Sequence, residues 1–202
     1  GVGGGGRRMT SHPATRYTAV AMILHWTIAI LIGINLVLVW FADKWPDAWV
    51  RPVIDTHKSI GITVLGLAIM RLLWRATHPA PPLPDDYPRW ERRAAHVAHI
   101  ALYVLIFAIP LSGWLHDSAW KDGLTHPMKL FWLVPWPRIP VIAHLPPVPK
   151  EHFHAALFAV HTWLAYVLYG LFALHVGAAL KHQWIDKEPE LQRMLPGRRR
   201  HP

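Results

Sequence analysis

Four long apolar stretches constrain this 202-residue chain more than any other feature. Crossing the hydrocarbon core of a bilayer takes about 20 predominantly apolar residues. The first stretch, Ala19–Phe41, carries no formal charge at all. The others cover about 53–73, 94–115 and 152–180. Lipid offers no hydrogen-bond partner, so each crossing segment must satisfy its own backbone, which favours helices. The expected fold is therefore all-α: an integral membrane four-helix bundle running up-down-up-down. Residues 1–18 form a basic, Gly-rich extension, with Met9 a candidate natural start; 19–184 form the membrane domain and 185–202 a basic tail. Gly1–Thr18 has basic residues but no apolar core, so no cleavable signal peptide is expected.

The connections set the orientation. The N-terminus, the second connection and the tail carry 14 of the 21 Lys and Arg, the opposite side 7, while acids divide 6 and 6. By the positive-inside rule both termini are cytoplasmic. This asymmetry also accounts for the net charge of +9. A polybasic segment beside a span reads as a topology and lipid-headgroup signal rather than a nucleic-acid site. Many of the 12 Trp fall near span ends, as an interfacial belt would. Cys is absent, which excludes thiolate metal sites, iron–sulfur ligation and thioether-linked haem.

Ionisable residues inside spans are expensive and mark function by default. His25 lies early in the first span, His57 early in the second, and His161 and His175 both lie in the fourth. Fourteen residues separate the last two. That spacing is close to four helical turns, so both imidazoles share a face about 21 Å apart along the axis. Topology then matches depths: His25 with His175 on the cytoplasmic side, His57 with His161 on the periplasmic side. Each pair offers two neutral nitrogens from different helices, the set that six-coordinate haem iron takes. Zinc fits less well, because two histidines without a carboxylate or thiolate leave a tetrahedral site half filled. A proton-relay transporter would place Asp or Glu in mid-span, and none is there. Gly33, Gly61, Gly66, Gly113, Gly170 and Gly177 leave room for porphyrin or serve helix packing.

At these residues the chain resembles the bacterial four-helix cytochrome b561 family. The matching stretches are Arg16-Tyr17, Leu24-His25-Trp26, His57-Lys58-Ser59-Ile60-Gly61 and Arg71-Leu72-Leu73-Trp74-Arg75. They continue through Pro79-Ala80-Pro81-Pro82, Ala95-His96-Val97-Ala98-His99 and Ile109-Pro110-Leu111-Ser112-Gly113. His161, Leu174-His175, Leu180-Lys181-His182-Gln183-Trp184 and Leu191–Pro196 complete the set. The core is also similar to haem-bearing membrane subunits of hydrogenases and formate dehydrogenases. The resemblance implies two haem b, with His25, His57, His161 and His175 as iron ligands. It further implies a ubiquinone site near the cytoplasmic haem at His182, whose other reading is an interfacial histidine in a basic tail. Arg71 and Arg75 are candidate haem-propionate or lipid-headgroup partners, and His96 and His99 bind propionates or stabilise packing.

The connection Asp117–Glu151 holds 7 Pro in 35 residues and is too broken to be a fifth span. It either caps the periplasmic haem along the membrane surface or docks respiratory-complex subunits. His126, His144, His152 and His154 read as surface or lid residues of this region. With both axial positions filled, chemistry should be outer-sphere electron transfer. The resemblance implies superoxide as periplasmic donor and ubiquinone as acceptor, in the bacterial inner membrane. Lys58, Lys121, Lys129, Arg138 and Lys150 are candidates for a basic entrance. The competing readings are a haem-b anchor or accessory subunit of a larger respiratory complex, and a small non-redox transporter or assembly factor.

Overall fold

The computed structural model describes residues 16–82, 87–187 and 190–195. Four long helices carry the architecture: α1 Ala19–Trp40, α2 Asp47–Thr77, α3 Arg89–Ser118 and, after a short α4 (Pro140–Ala143), α5 Pro147–Trp184. A five-residue α6, Glu190–Met194, follows. All four long helices are apolar and long enough to cross a membrane. The last three extend past the apolar windows at both ends, whereas α1 keeps within its own. Thr18 caps α1 by accepting from the Ala21 amide (3.2 Å). Pro46, Pro88 and Pro146 each precede a helix, where fixed φ favours initiation and no intrahelical donor is lost.

Cross-helix contacts establish the antiparallel order. The Arg71 guanidinium near the end of α2 donates to the Ala21 carbonyl near the start of α1 (3.0 Å). Lys58 near the start of α2 pairs with Asp117 at the end of α3 (2.6 Å). Lys181 at the end of α5 reaches Glu91 at the start of α3 (3.3 Å). The bundle thus runs up-down-up-down. One end gathers the start of α1 and the finish of α5 (the terminal end); the other carries the long α3–α5 connection (the loop end).

Apolar side chains divide by face. On α1, Leu24 and Ile28 are buried, and Ile28 packs with Ile60 and Val64 of α2 in the core. Ile23, Ile30, Ile34 and Val37 stay exposed along the other face at helical spacing. In water such a stripe would be a liability; toward lipid it costs nothing. Trp40, Trp49, Trp90, Trp163 and Trp184 are likewise exposed.

The loop-end connection is folded. Lys129–Leu130 and Val134–Pro135 form an antiparallel two-stranded hairpin, β1 and β2. Its turn is closed by the Leu133 amide donating to the Leu130 carbonyl (3.0 Å). Phe131 and Trp132 within it both adopt positive φ, 48° and 62°. The turn leans on α2, where the Ser59 hydroxyl accepts from the Phe131 amide (2.8 Å).

Candidate haem and quinone sites

The two histidine pairs expected from depth and helical phase are brought together. The ring centroids of His25 and His175 lie 6.2 Å apart, and those of His57 and His161 6.0 Å, with rings near perpendicular at 69° and 89°. An imidazole nitrogen binds a transition metal at about 2 Å, and the centroid lies about 1 Å further back, so two rings trans across one ion sit about 6 Å apart. Both gaps match that geometry. A direct imidazole–imidazole hydrogen bond would draw the rings closer.

His161 is held by its surroundings. Its Nδ1 lies 3.0 Å from the Ile109 carbonyl and 3.0 Å from the Ser112 hydroxyl. A Nδ1–H donated to that carbonyl leaves Nε2 free as a ligand, the usual device by which a second contact fixes a ligating histidine. Pro110 loosens α3 at this level, because it cannot donate to the Ile106 carbonyl. Gly113 then lets the ring approach: a Cβ there would stand 3.1 Å from His161 Cε1 and 3.4 Å from Nδ1. His57 Nδ1 is buried with no partner among the described residues. Orphaned polar atoms are expensive, and the ring that carries this one stands 6.0 Å from that of His161. Its chemistry suits a planar metal cofactor between the rings.

The terminal-end pair has more company. His99 of α3 brings a third imidazole 5.3 Å from His175. The guanidiniums of Arg71 and Arg75 lie 5.7 and 5.9 Å from the Tyr103 ring. Arg71 is half-buried and pairs with no carboxylate among the described residues, which suits a haem carboxylate. His96 is exposed. Alongside, a cavity of about 240 Å³ opens among Arg16, Tyr17, Ala21, His78 and Pro79–Pro82. The α6 segment is strapped across this end: Arg16 donates to the Gln192 and Leu195 carbonyls, and Trp26 Nε1 to the Met194 carbonyl (2.7 Å).

His182 does not touch His175. It stacks on Tyr87 (4.5 Å, 14°), and its Nδ1 lies 2.7 Å from Asp186 Oδ2. Lys181 bridges Asp186 (2.9 Å) and Glu91 (3.3 Å). The Lys181 hydrogen bond first, then His182, hold the Asp186 carboxyl below its usual range.

The expected basic entrance is the part the structure corrects. Lys58 and Arg138 both pair with buried Asp117, at 2.6 and 2.9 Å. Lys150 is buried and donates to the Ala143 carbonyl (2.8 Å). These cations hold the lid together, and only Lys121 and Lys129 remain exposed. Arg51, Lys58 and Arg138 surround the Trp120 ring at 5.0, 5.9 and 5.6 Å. His126, His144 and His152 lie on the surface, while His154 stacks on His116 at 3.9 Å. Sequence reasoning missed Asp117, Glu91 and Asp186, whose partners are remote or follow a helix end. Only Pro110 inside a span signalled the His161 clamp.

Comparison with known proteins agrees with this architecture. Residues 16–197 match the family model described as prokaryotic cytochrome b561. "Cytochrome b561 homolog 2" of Escherichia coli K12 is 37% identical over 183 residues, covering 89% of this chain and 91% of its own. "Cytochrome b561 homolog 1" of the same strain is 26% identical over 91% of this chain and 99% of its own. The "Probable superoxide oxidase CybB" of Yersinia pestis is 28% identical over 91% of this chain and 98% of its own. The chain belongs to the prokaryotic cytochrome b561 family of membrane haem proteins.

Proposed function

We propose that this chain is a di-haem b cytochrome of the bacterial inner membrane, passing electrons from periplasmic superoxide to ubiquinone, with both termini in the cytoplasm. The observation that carries the reading is the pair of imidazole gaps, 6.2 and 6.0 Å, at opposite ends of one four-helix bundle. His25 and His175 would hold one haem and His57 and His161 the other, while Arg71 would face a propionate of the first. Bound haem b supplies reversible one-electron chemistry at each level. With two imidazoles to hold each haem, donor and acceptor would exchange electrons with it without binding the iron. Two superoxide ions each lose one electron to become O₂; ubiquinone takes both electrons and two protons to become ubiquinol. His182, at the terminal end, would contact a quinone oxygen. The Yersinia pestis relative's description supports superoxide as donor.

The test is optical and redox. Purified protein should show a Soret band and titrate in two one-electron steps, and superoxide pulses in stopped flow should reduce it. A protein without a Soret band would sink the haem assignment; haem unmoved by superoxide would sink the donor alone. A second reading, an accessory subunit of a larger respiratory complex, draws on the exposed apolar edge of Trp132, Leu133, Val134 and Val141. Stoichiometric partners on co-purification would favour it.

A further inference from the structure

Reducing a quinone to a quinol requires protons as well as electrons, and one cluster at the terminal end is built to deliver them. Ligand-capable atoms of Glu91, His182 and Asp186 all lie within 4.8 Å of one another. The contacts run in one direction. Asp186, with a side chain 31% exposed, meets solvent; His182 and Glu91, at 15% and 17%, are more enclosed. Asp186 Oδ2 takes the His182 Nδ1 side at 2.7 Å, and Tyr87 stacks on the ring face. The ring therefore has one orientation. Its Nε2 makes no hydrogen bond among the described residues: the nearest acceptor, Glu91 Oε2, stands 3.9 Å away. That gap is too long for a hydrogen bond and wide enough for a bridging oxygen.

We propose that Asp186 and Glu91 hold His182 as the proton donor to the quinone oxygen, Asp186 by fixing the Nδ1 side of the ring and Glu91 by flanking the Nε2 that gives up the proton. The proposal rests on the quinone reading above and names how that site works. The ring, with a carboxylate on each side, gives the Nε2 proton to the substrate oxygen as an electron arrives. The neutral ring keeps its Nδ1 proton on Asp186 and is recharged at Nε2 from solvent by way of water in the gap beside Glu91. Two such cycles deliver the two protons that match the two electrons, and quinol leaves. Four groups face His182 among the described residues: Glu91 from α3, Tyr87 from the segment before it, and Lys181 and Asp186 from its own end of the chain. Lys181 bridges the two carboxylates and clamps α3 to α5. His182 is the catalytic residue of this arrangement; Asp186 and Glu91 are positioning residues.

The experiment uses full-length detergent-purified protein, reduced anaerobically and mixed with ubiquinone-1 in stopped flow. Asp186→Asn and Glu91→Gln should slow haem reoxidation by roughly ten- to a hundredfold, the span of a positioned proton donor weakened or lost. They should leave the Soret spectrum and the rate of haem reduction unchanged. The wild type should react more slowly in D₂O, and Asp186→Glu should restore most of the rate. Lys181→Met separates relay from clamp. It breaks the same ion pairs yet leaves the carboxylates on His182, so the rate should stay within about threefold. Reoxidation at the wild-type rate in Asp186→Asn, or an equal loss in Lys181→Met, overturns the relay. Wild-type protein that ubiquinone-1 does not reoxidise overturns the quinone reading, and the relay with it.

Discussion

The two ends of the bundle each hold an imidazole pair at nearly the same separation, but they are finished differently. At the loop end His161 is pinned by the Ile109 carbonyl and Ser112, and Asp117 is saturated by Lys58 and Arg138. A hairpin leans on α2 two residues past His57. At the terminal end a third imidazole touches the pair, and two arginines without carboxylate partners among the described residues, a cavity and the His182 cluster lie at the same end of the bundle. A closed, ion-paired end suits a step that moves only electrons. An end with open donors suits a step that also moves protons and releases a product. On the proposed function, this difference assigns entry to the loop end and exit to the terminal end.

Breaking one pair at a time tests that contrast most severely. His57→Ala should reduce the haem-to-protein ratio from two to one and remove one step of the redox titration, because among the described residues no third ring contacts that pair as His99 contacts His175. Two haems retained in His57→Ala would refute the ligand assignment. The next largest effect belongs to Asp117→Ala, which leaves Lys58 with Asp55 at 3.8 Å and the mostly buried Arg138 with backbone carbonyls in place of a carboxylate. Removing one member of a buried ion cluster costs about 3 kcal/mol or more, so chemical denaturation should begin at clearly lower denaturant. Gly113→Ala should act more mildly. Its Cβ at 3.1 Å must push the His161 ring back by a few tenths of an ångström. The expected cost is about 1 kcal/mol, read as a lower melting temperature and a shifted loop-end potential with terminal-end potential unchanged.

What the sequence made legible follows the same divide. Spans, order and imidazole pairing are set by hydropathy and by the 3.6-residue period, both local properties of the chain. His161 and His175 share a face because they share a helix, and their partners followed from direction alone. The loop end was harder, because its contacts join residues far apart in the chain. Lys58 reads as a free cation until Asp117, 59 positions later, is folded against it. Arg138 misled in the same way, and Lys150 because its partner is a backbone carbonyl seven positions back, which no residue type announces. The Pro-rich connection gave no strand period, and its two-residue strands are too short to show one. Asp186 escaped notice because it lies beyond the apolar stretch, where acids are expected.

The smallest predicted effect concerns the lid turn, and it has the opposite sign. Phe131 and Trp132 occupy the two positive-φ positions of a tight turn, places that Asn-Gly normally fills. For a side chain with a Cβ the left-handed region costs about 1–2 kcal/mol per residue. The chain accepts that cost because the turn is fastened elsewhere: Ser59, fully buried, donates to the Asp55 carbonyl and accepts from the Phe131 amide. Such strain persists only where neighbouring contacts over-determine the backbone. Trp132 is more than half exposed, so little packing is lost when it is removed. Trp132→Gly should therefore stabilise the protein by about 1 kcal/mol, and Ser59→Ala should cost about 1 kcal/mol by orphaning the Phe131 amide. Combined, the two should recover near wild-type melting, since relieved strain offsets the lost fastening. A destabilised Trp132→Gly protein would mean that the indole ring itself holds the lid down, and the loop end would then be closed by its side chains rather than by its backbone.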